Sequence, residues 1–196
     1  AEIDRWVISK LHSLIKEVTE SYEEYEPTKA ARAVEDYVIE HLSNWYVRLC
    51  RRRFWGNELS KDKRAAFETL FECLQSVAQL MSPIAPFFSD WLWQNLLATS
   101  ESVHLSYLKD VNKNEIDATL EQRMEWAQEI SSLVLSLRKK TKIKVRQPLQ
   151  KILIPAIDKH FIEQVDKVKA LILSEVNVKE IEYISDTSGI ISKKVK

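Results

Sequence analysis

Apolar residues recur at steps of three and four along most of the chain, and this spacing predicts long amphipathic helices. Over residues 2–25 the stripe is Val7, Leu11, Leu14, Val18 and Tyr22, widened by Ile8 and Ile15. Glu26-Pro27-Thr28 interrupts it, and Thr28 is the expected cap of a second helix over residues 28–55, with Val34, Val38, Leu42, Trp45 and Leu49 inward. A third helix is expected over residues 60–81, capped by Ser60, with Phe67, Leu70, Phe71, Leu74, Val77, Ala78 and Met81 as its apolar face. Prolines at 83 and 86 break the pattern, and Pro86 suits the first position of a fourth helix over residues 86–97. Its aromatics Phe87, Phe88, Trp91 and Trp93 are assigned to the core. A polar connection follows over residues 98–117, with a short extended piece at 102–107. A fifth helix over residues 116–140 would turn Leu120, Met124, Ala127, Ile130, Val134 and Leu137 inward.

From Gln147 the period changes. Residues 152–156 read as a strand and residues 160–173 as a helix with Phe161, Val165, Val168 and Leu171 or Ile172 inward. Residues 176–184 alternate as a second strand, Gly189 marks a turn, and residues 190–195 make a third strand. The expected fold is mostly α: an antiparallel helix bundle over residues 1–146, followed by a small C-terminal β-α-β-β subdomain over residues 147–196.

Composition narrows the chemistry. Gly56 and Gly189 are the only glycines, so few positions are expected to need positive φ and no glycine-rich phosphate loop can form. Lys plus Arg and Asp plus Glu both number 29, which excludes a wholly basic protein but not a local basic face. Cys50 and Cys73 form no paired motif and read as reduced structural thiols. His12, His41, His104 and His160 lack ligand spacing, so no metal site is expected. There is no nucleophile or metalloprotease motif, hence no catalytic residue, and no apolar run long enough to span a membrane. The start at Ala1 and the stop at Lys196 are expected of a piece of a longer chain.

Two acid-free stretches carry the candidate chemistry. Residues 44–55 hold Arg48, Arg51, Arg52 and Arg53 among Trp45, Tyr46, Phe54 and Trp55, ahead of Gly56, a natural left-handed helix end. Arginine binds phosphate bidentately and stacks on bases, so arginines mixed with rings suit an RNA loop. On an unbroken α-helix Asn44, Arg48 and Arg51 share a flank, Trp45 lies in the core, and Arg52 falls inside the apolar arc, where an ion pair would bury it. The second stretch runs from Ile130 to Ile157 without an acid. In extended form it would show Lys142, Lys144 and Arg146 on one side.

Six blocks in order give the chain a resemblance. Asp4-Arg5-Trp6-Val7-Ile8-Ser9-Lys10-Leu11, Thr28-Lys29-Ala30-Ala31-Arg32-Ala33, Asn44-Trp45-Tyr46-Val47-Arg48 with Arg51-Arg52-Arg53-Phe54-Trp55, Ser82-Pro83-Ile84-Ala85-Pro86-Phe87, Ser102-Val103-His104-Leu105 and Lys144-Val145-Arg146-Gln147-Pro148-Leu149 resemble the anticodon-binding region of the isoleucyl-tRNA synthetase family. The valyl relatives typically carry an acid before the Trp-Tyr pair, where this chain has Asn44. The resemblance implies a cytoplasmic, usually monomeric, class I synthetase that attaches isoleucine to its tRNA with ATP. The ATP-site signatures and the editing domain have no counterpart here, so no cofactor is expected on this stretch. The partners implied are the anticodon stem-loop of isoleucine tRNA and the remaining domains of the same synthetase. The family's upstream Asn-x-x-x-Arg helix is also missing, which predicts weak tRNA binding in isolation. Asn44, Tyr46, Arg48, Arg51, Arg52, Trp55, Lys142, Lys144 and Arg146 are the expected tRNA contacts, with Tyr46 or Trp55 stacking on a base. The competing expectation is a helical protein-interaction module whose basic patches serve interdomain contacts.

Overall fold

The first stripe becomes α1 (Glu2–Glu23) in the computed structural model, which describes residues 1–56, 58–156 and 158–185. Trp6, Val7, Leu11, Leu14, Ile15 and Val18 are buried along it, so the three-and-four spacing was a true guide to its inner face. The chain divides into two compact units, Ala1–Ala118 and Thr119–Lys196. The boundary expected after residue 146 falls inside the second of these.

In the first unit, α2 (Pro27–Asp36) starts with Pro27 in its first turn and Glu26 at the cap position. Thr28 therefore lies inside the helix and does not cap it. The helix does not continue to Trp55 as α-helix. Residues Tyr37–Val47 wind as a π-helix, Cys50 breaks the run with ψ of 3°, and a short α3 (Arg51–Trp55) follows. A π-helix bonds residues five apart, and Tyr37 and Leu42, spaced by five, are both buried. The Tyr37 hydroxyl donates to the Val7 carbonyl at 3.1 Å, fixing this face against α1. Gly56 has φ −57°, so it ends α3 without using the left-handed region. Among the described residues positive φ falls instead on Tyr25, Ala98, Lys142 and Asn177, few positions and none of them glycine.

Helix α4 (Lys61–Met81) is capped by Ser60, whose hydroxyl accepts from the Lys63 N–H at 3.1 Å. Its buried face is Ala66, Cys73, Val77, Ala78 and Leu80, while Phe67 and Phe71 remain exposed. The expected face was rotated, because small Ala66 and Cys73 allow the close approach that rings would block. Helix α5 (Pro86–Leu97) has the expected bounds, but its aromatics do not all reach the core. Trp93 is 8% exposed, whereas Phe87 is 91%, Phe88 57% and Trp91 59% exposed. Ser89 and Trp93, four apart, form the buried stripe, and rings at 87, 88 and 91 lie off it. The connection after α5 contains 3-10 turns at Val103–Leu105 and Lys113–Glu115 in place of an extended piece. Asp90 holds it, accepting from the Ser102 hydroxyl at 2.7 Å and the Val103 N–H at 2.9 Å.

All of α6 (Ala118–Lys140) but its first residue belongs to the second unit, and its last turn is basic as a helix C-terminus favours. Leu120, Met124 and Ala127 are buried as expected, but the stripe continues through Ser131 and Arg138, leaving Leu137 at 60% exposure. Strand β1 (Leu149–Pro155), α7 (Lys159–Val176) and β2 (Val178–Ile184) follow, with the strands paired in parallel, Leu149 opposite Val178 and Ile154 opposite Tyr183. Asp158 caps α7 by accepting from the Phe161 N–H at 2.7 Å. Phe161, Val165, Val168 and Ile172 face inward. Trp126 of α6 meets Phe161 edge-on with centroids 5.2 Å apart, which ties α6 to α7. The turn at Gly189 and the third strand over 190–195 fall outside the described residues.

No described helix is long and apolar enough to cross a membrane. Cys50 and Cys73 are both unpaired and buried.

Candidate nucleic-acid interface

The acid-free segment places its cations on two sides of a short helix. None of the residues of α3 is buried. Arg51 and Arg52 are exposed, as are Asn44 and Arg48 upstream. Trp55 is 79% exposed, and the Arg51 guanidinium lies 6.0 Å from its ring centroid. Arg48 lies 6.0 Å from the centroid of the buried Trp45 ring. A guanidinium over an indole face is favourable even at an exposed site, and Arg51 and Trp55 are both exposed. The pair presents a cation for phosphate and a flat ring for a base.

Tyr46 does not belong to this face. It is fully buried, and its hydroxyl donates to Asp4 Oδ1 at 2.8 Å and to the Ala66 carbonyl at 3.2 Å. A phenol can enter a core only with its hydroxyl partnered, and Asp4 supplies that partner from α1. Burial, reinforced by the Asp4 hydrogen bond, pushes the Tyr46 hydroxyl far above its ordinary pKa.

The inward arginine is Arg53. Its Nη1 and Nη2 bond Asp4 Oδ1 and Oδ2 at 2.6 and 2.8 Å, and its Nε bonds Asp62 Oδ2 at 2.8 Å. Hydrogen bonding to Asp4 raises its already high pKa. Burial works to raise the Asp4 carboxyl, but hydrogen bonds from Arg53 and Tyr46 oppose it, and Asp4 is held below the ordinary carboxylate range. A helical wheel drawn through an unbroken α-helix turns Arg52 inward. The π-winding and the break at Cys50 shift the phase, so Arg52 emerges exposed and Arg53 takes the ion pair.

The second basic stretch is a turn, not a strand. Lys142 has φ 58°, so the alternation expected of Lys142, Lys144 and Arg146 is not realised, although all three are exposed. Sequence reasoning missed the residue that shapes this turn. Arg138 is 2% exposed and donates to the carbonyls of Lys144 at 3.2 Å, Gln147 at 3.0 Å and Asn177 at 2.9 Å. Its position seven residues after buried Ser131 was the available signal. The Asn177 amide adds a bond to the Val145 carbonyl at 2.8 Å. The loop backbone is thus turned toward Arg138 and its cationic side chains toward solvent. Lys142, Lys144 and Arg146 lie in the second unit, and Asn44, Arg48, Arg51, Arg52 and Trp55 in the first.

Among the described residues no group of three or more His, Cys, Asp or Glu is placed to hold a metal ion. The family model described as the anticodon-binding domain of tRNA ligase matches residues 4–153. The chain is 53% identical over 200 residues to the isoleucine–tRNA ligase of Cytophaga hutchinsonii, covering 100% of this chain and 18% of that protein. It is 50% identical over 200 residues to that of Bacteroides fragilis, with the same coverage. With that of Thermus thermophilus it shares 39% over 199 residues, covering 99% of this chain and 19% of the relative. The chain spans about a fifth of the length of these relatives.

Proposed function

The chain belongs to the anticodon-binding domain family of tRNA ligases, and from that premise we propose that it holds the anticodon stem-loop of isoleucine tRNA. The parent protein is then an isoleucine–tRNA ligase that works in the cytoplasm as a monomer, and its ATP-dependent chemistry belongs to a catalytic domain outside this stretch. The observation that carries the reading is the exposed Arg51–Trp55 pair beside Arg48 and Arg52, on a stretch without an acid. Trp55 stacks on a loop base, Asn44 bonds a base edge, and Arg48, Arg51 and Arg52 bind phosphates; Lys142, Lys144 and Arg146 of the second unit are phosphate contacts in their own right. Stacking of a base on an aromatic contributes about 1–3 kcal/mol.

The test is a filter-binding titration of the full-length ligase with a hairpin carrying the isoleucine anticodon and with a loop-mutated hairpin. Tighter binding of the first, with affinity falling steeply as salt rises, is expected. Equal and salt-insensitive binding of both hairpins would overturn the reading.

A second reading, a module for contacts with other domains of the same ligase, is favoured by α5. Phe87, Phe88 and Trp91 are exposed there, and no Lys or Arg occurs from Ala65 through Leu108. That surface attracts no phosphate, so it suits protein better than RNA. The two readings concern different faces and are compatible.

A further inference from the structure

A helix without buried residues has no apolar stripe to fix its rotation about its own axis, and α3 is such a helix. Polar ties and half-buried Phe54 do the fixing. The Arg53 guanidinium grips both carboxylate oxygens of Asp4, at the start of α1. Its remaining edge reaches Asp62 at the start of α4, through Nε to Oδ2 at 2.8 Å and Nη2 to the backbone carbonyl at 3.1 Å. Phe54 meets the rings of Tyr46 and Phe67 edge-on, and the Lys63 ammonium bonds the Gly56 carbonyl at 2.6 Å. Each residue of an α-helix turns the next by about 100°. With Arg53 pointing inward, Arg51 and Trp55 each lie about 160° from it, on opposite sides, and so come within about 40° of each other on the outer face. Their ring contact follows from this placement.

We infer that Arg53, clamped between Asp4 and Asp62, is a positioning residue that sets the rotation of α3 and thereby presents Arg51 and Trp55 together to RNA. The inference rests on the anticodon reading above. It adds that RNA affinity depends on a residue RNA does not touch. It also separates the two acids: Asp4 neutralises the guanidinium inside, while Asp62, with its side chain 59% exposed, fixes the second edge of the fork.

The test uses the full-length ligase and the isoleucine-anticodon hairpin, with Kd, its salt dependence and Tm measured together. Arg53→Lys keeps a cation for Asp4 but lacks the planar fork needed to reach Asp62 as well. Its Kd should rise about tenfold, and the slope of log K against log salt should fall by about one phosphate contact. Asp62→Asn should raise Kd about threefold with Tm within about 2 °C of wild type, and Asp62→Glu should restore it. A role in stability alone lowers Tm without changing the salt slope of the folded fraction. Wild-type Kd and slope in both Arg53→Lys and Asp62→Asn would overturn the inference, and should Arg53→Lys fail to fold, Asp62→Asn alone decides. The double variant Arg51→Ala/Arg52→Ala tests the underlying reading separately. If it binds like wild type, the anticodon face itself is wrong, whatever Arg53 does.

Discussion

Tyr46 and Trp91 belong to two aromatic-rich stretches of the same unit, yet one is fully buried and the other 59% exposed. From composition the reverse was expected, with Tyr46 offered to RNA and the rings of α5 in the core. Tyr46 is inside because Asp4 is placed to accept its hydroxyl at 2.8 Å. Trp91 is outside because α5 buries only the Ser89–Trp93 stripe, which packs with Ala78 and Val103. The lesson is that a ring's burial follows its partner and its angular position, not its hydrophobicity alone.

The comparison breaks first, and most strongly, within α5. Trp93→Ala should cost about 3–5 kcal/mol in urea unfolding, whereas Trp91→Ala should stay within about 0.5 kcal/mol. Similar losses from both would mean that the outer face of α5 is covered in the whole protein. Next, Tyr46→Phe removes the hydroxyl that donates to buried Asp4 and should cost about 1–3 kcal/mol by the same measurement. An unchanged midpoint would return Tyr46 to the surface. Third comes acid. Asp4 is held below its ordinary range near 4 when folded and returns to that range when unfolded. Its contribution is complete above the unfolded value and is lost as pH falls through the depressed folded value, about 1–2 kcal/mol once the tie to Arg53 is discounted for solvent screening. Asp4→Asn, less stable at neutral pH, should lack that component of acid unfolding. The smallest effect concerns the end of α5, where Ala98 holds φ 50°. Ala98→Gly should stabilise by about 0.5–1 kcal/mol, since glycine takes left-handed backbone without strain. A loss of stability would show that the alanine methyl is used in packing.

Much of this was legible in advance. The bounds of α5, the cap at Ser60, the inner face of α7 and the mostly helical class with a small α/β unit all follow from local rules of period and capping. The site was legible as a region and only partly as a set of side chains. Arg51 and Trp55 carry the four-residue spacing that brings them together. An internal ion pair was open for Arg53 as for Arg52, but its partner was not legible because Asp4 lies 49 positions away, and because a wheel assumes constant winding. The π-helix Tyr37–Val47 breaks that assumption. Arg138 was obscured because its donors meet backbone carbonyls, which leave no mark in a sequence.

The two cysteines give this domain a chemical clock. Burial raises the Cys50 thiol, and raises Cys73 to about 12, so neither supplies thiolate for alkylation at neutral pH while the fold is closed. Cys50 borders α3 and lies 3.4 Å from an Arg53 nitrogen, whereas Cys73 lies in α4 against Tyr37. Release of α3 alone uncovers the first thiol, and loss of the bundle uncovers both. The order in which a maleimide consumes them therefore distinguishes a loosened α3 from an unfolded domain.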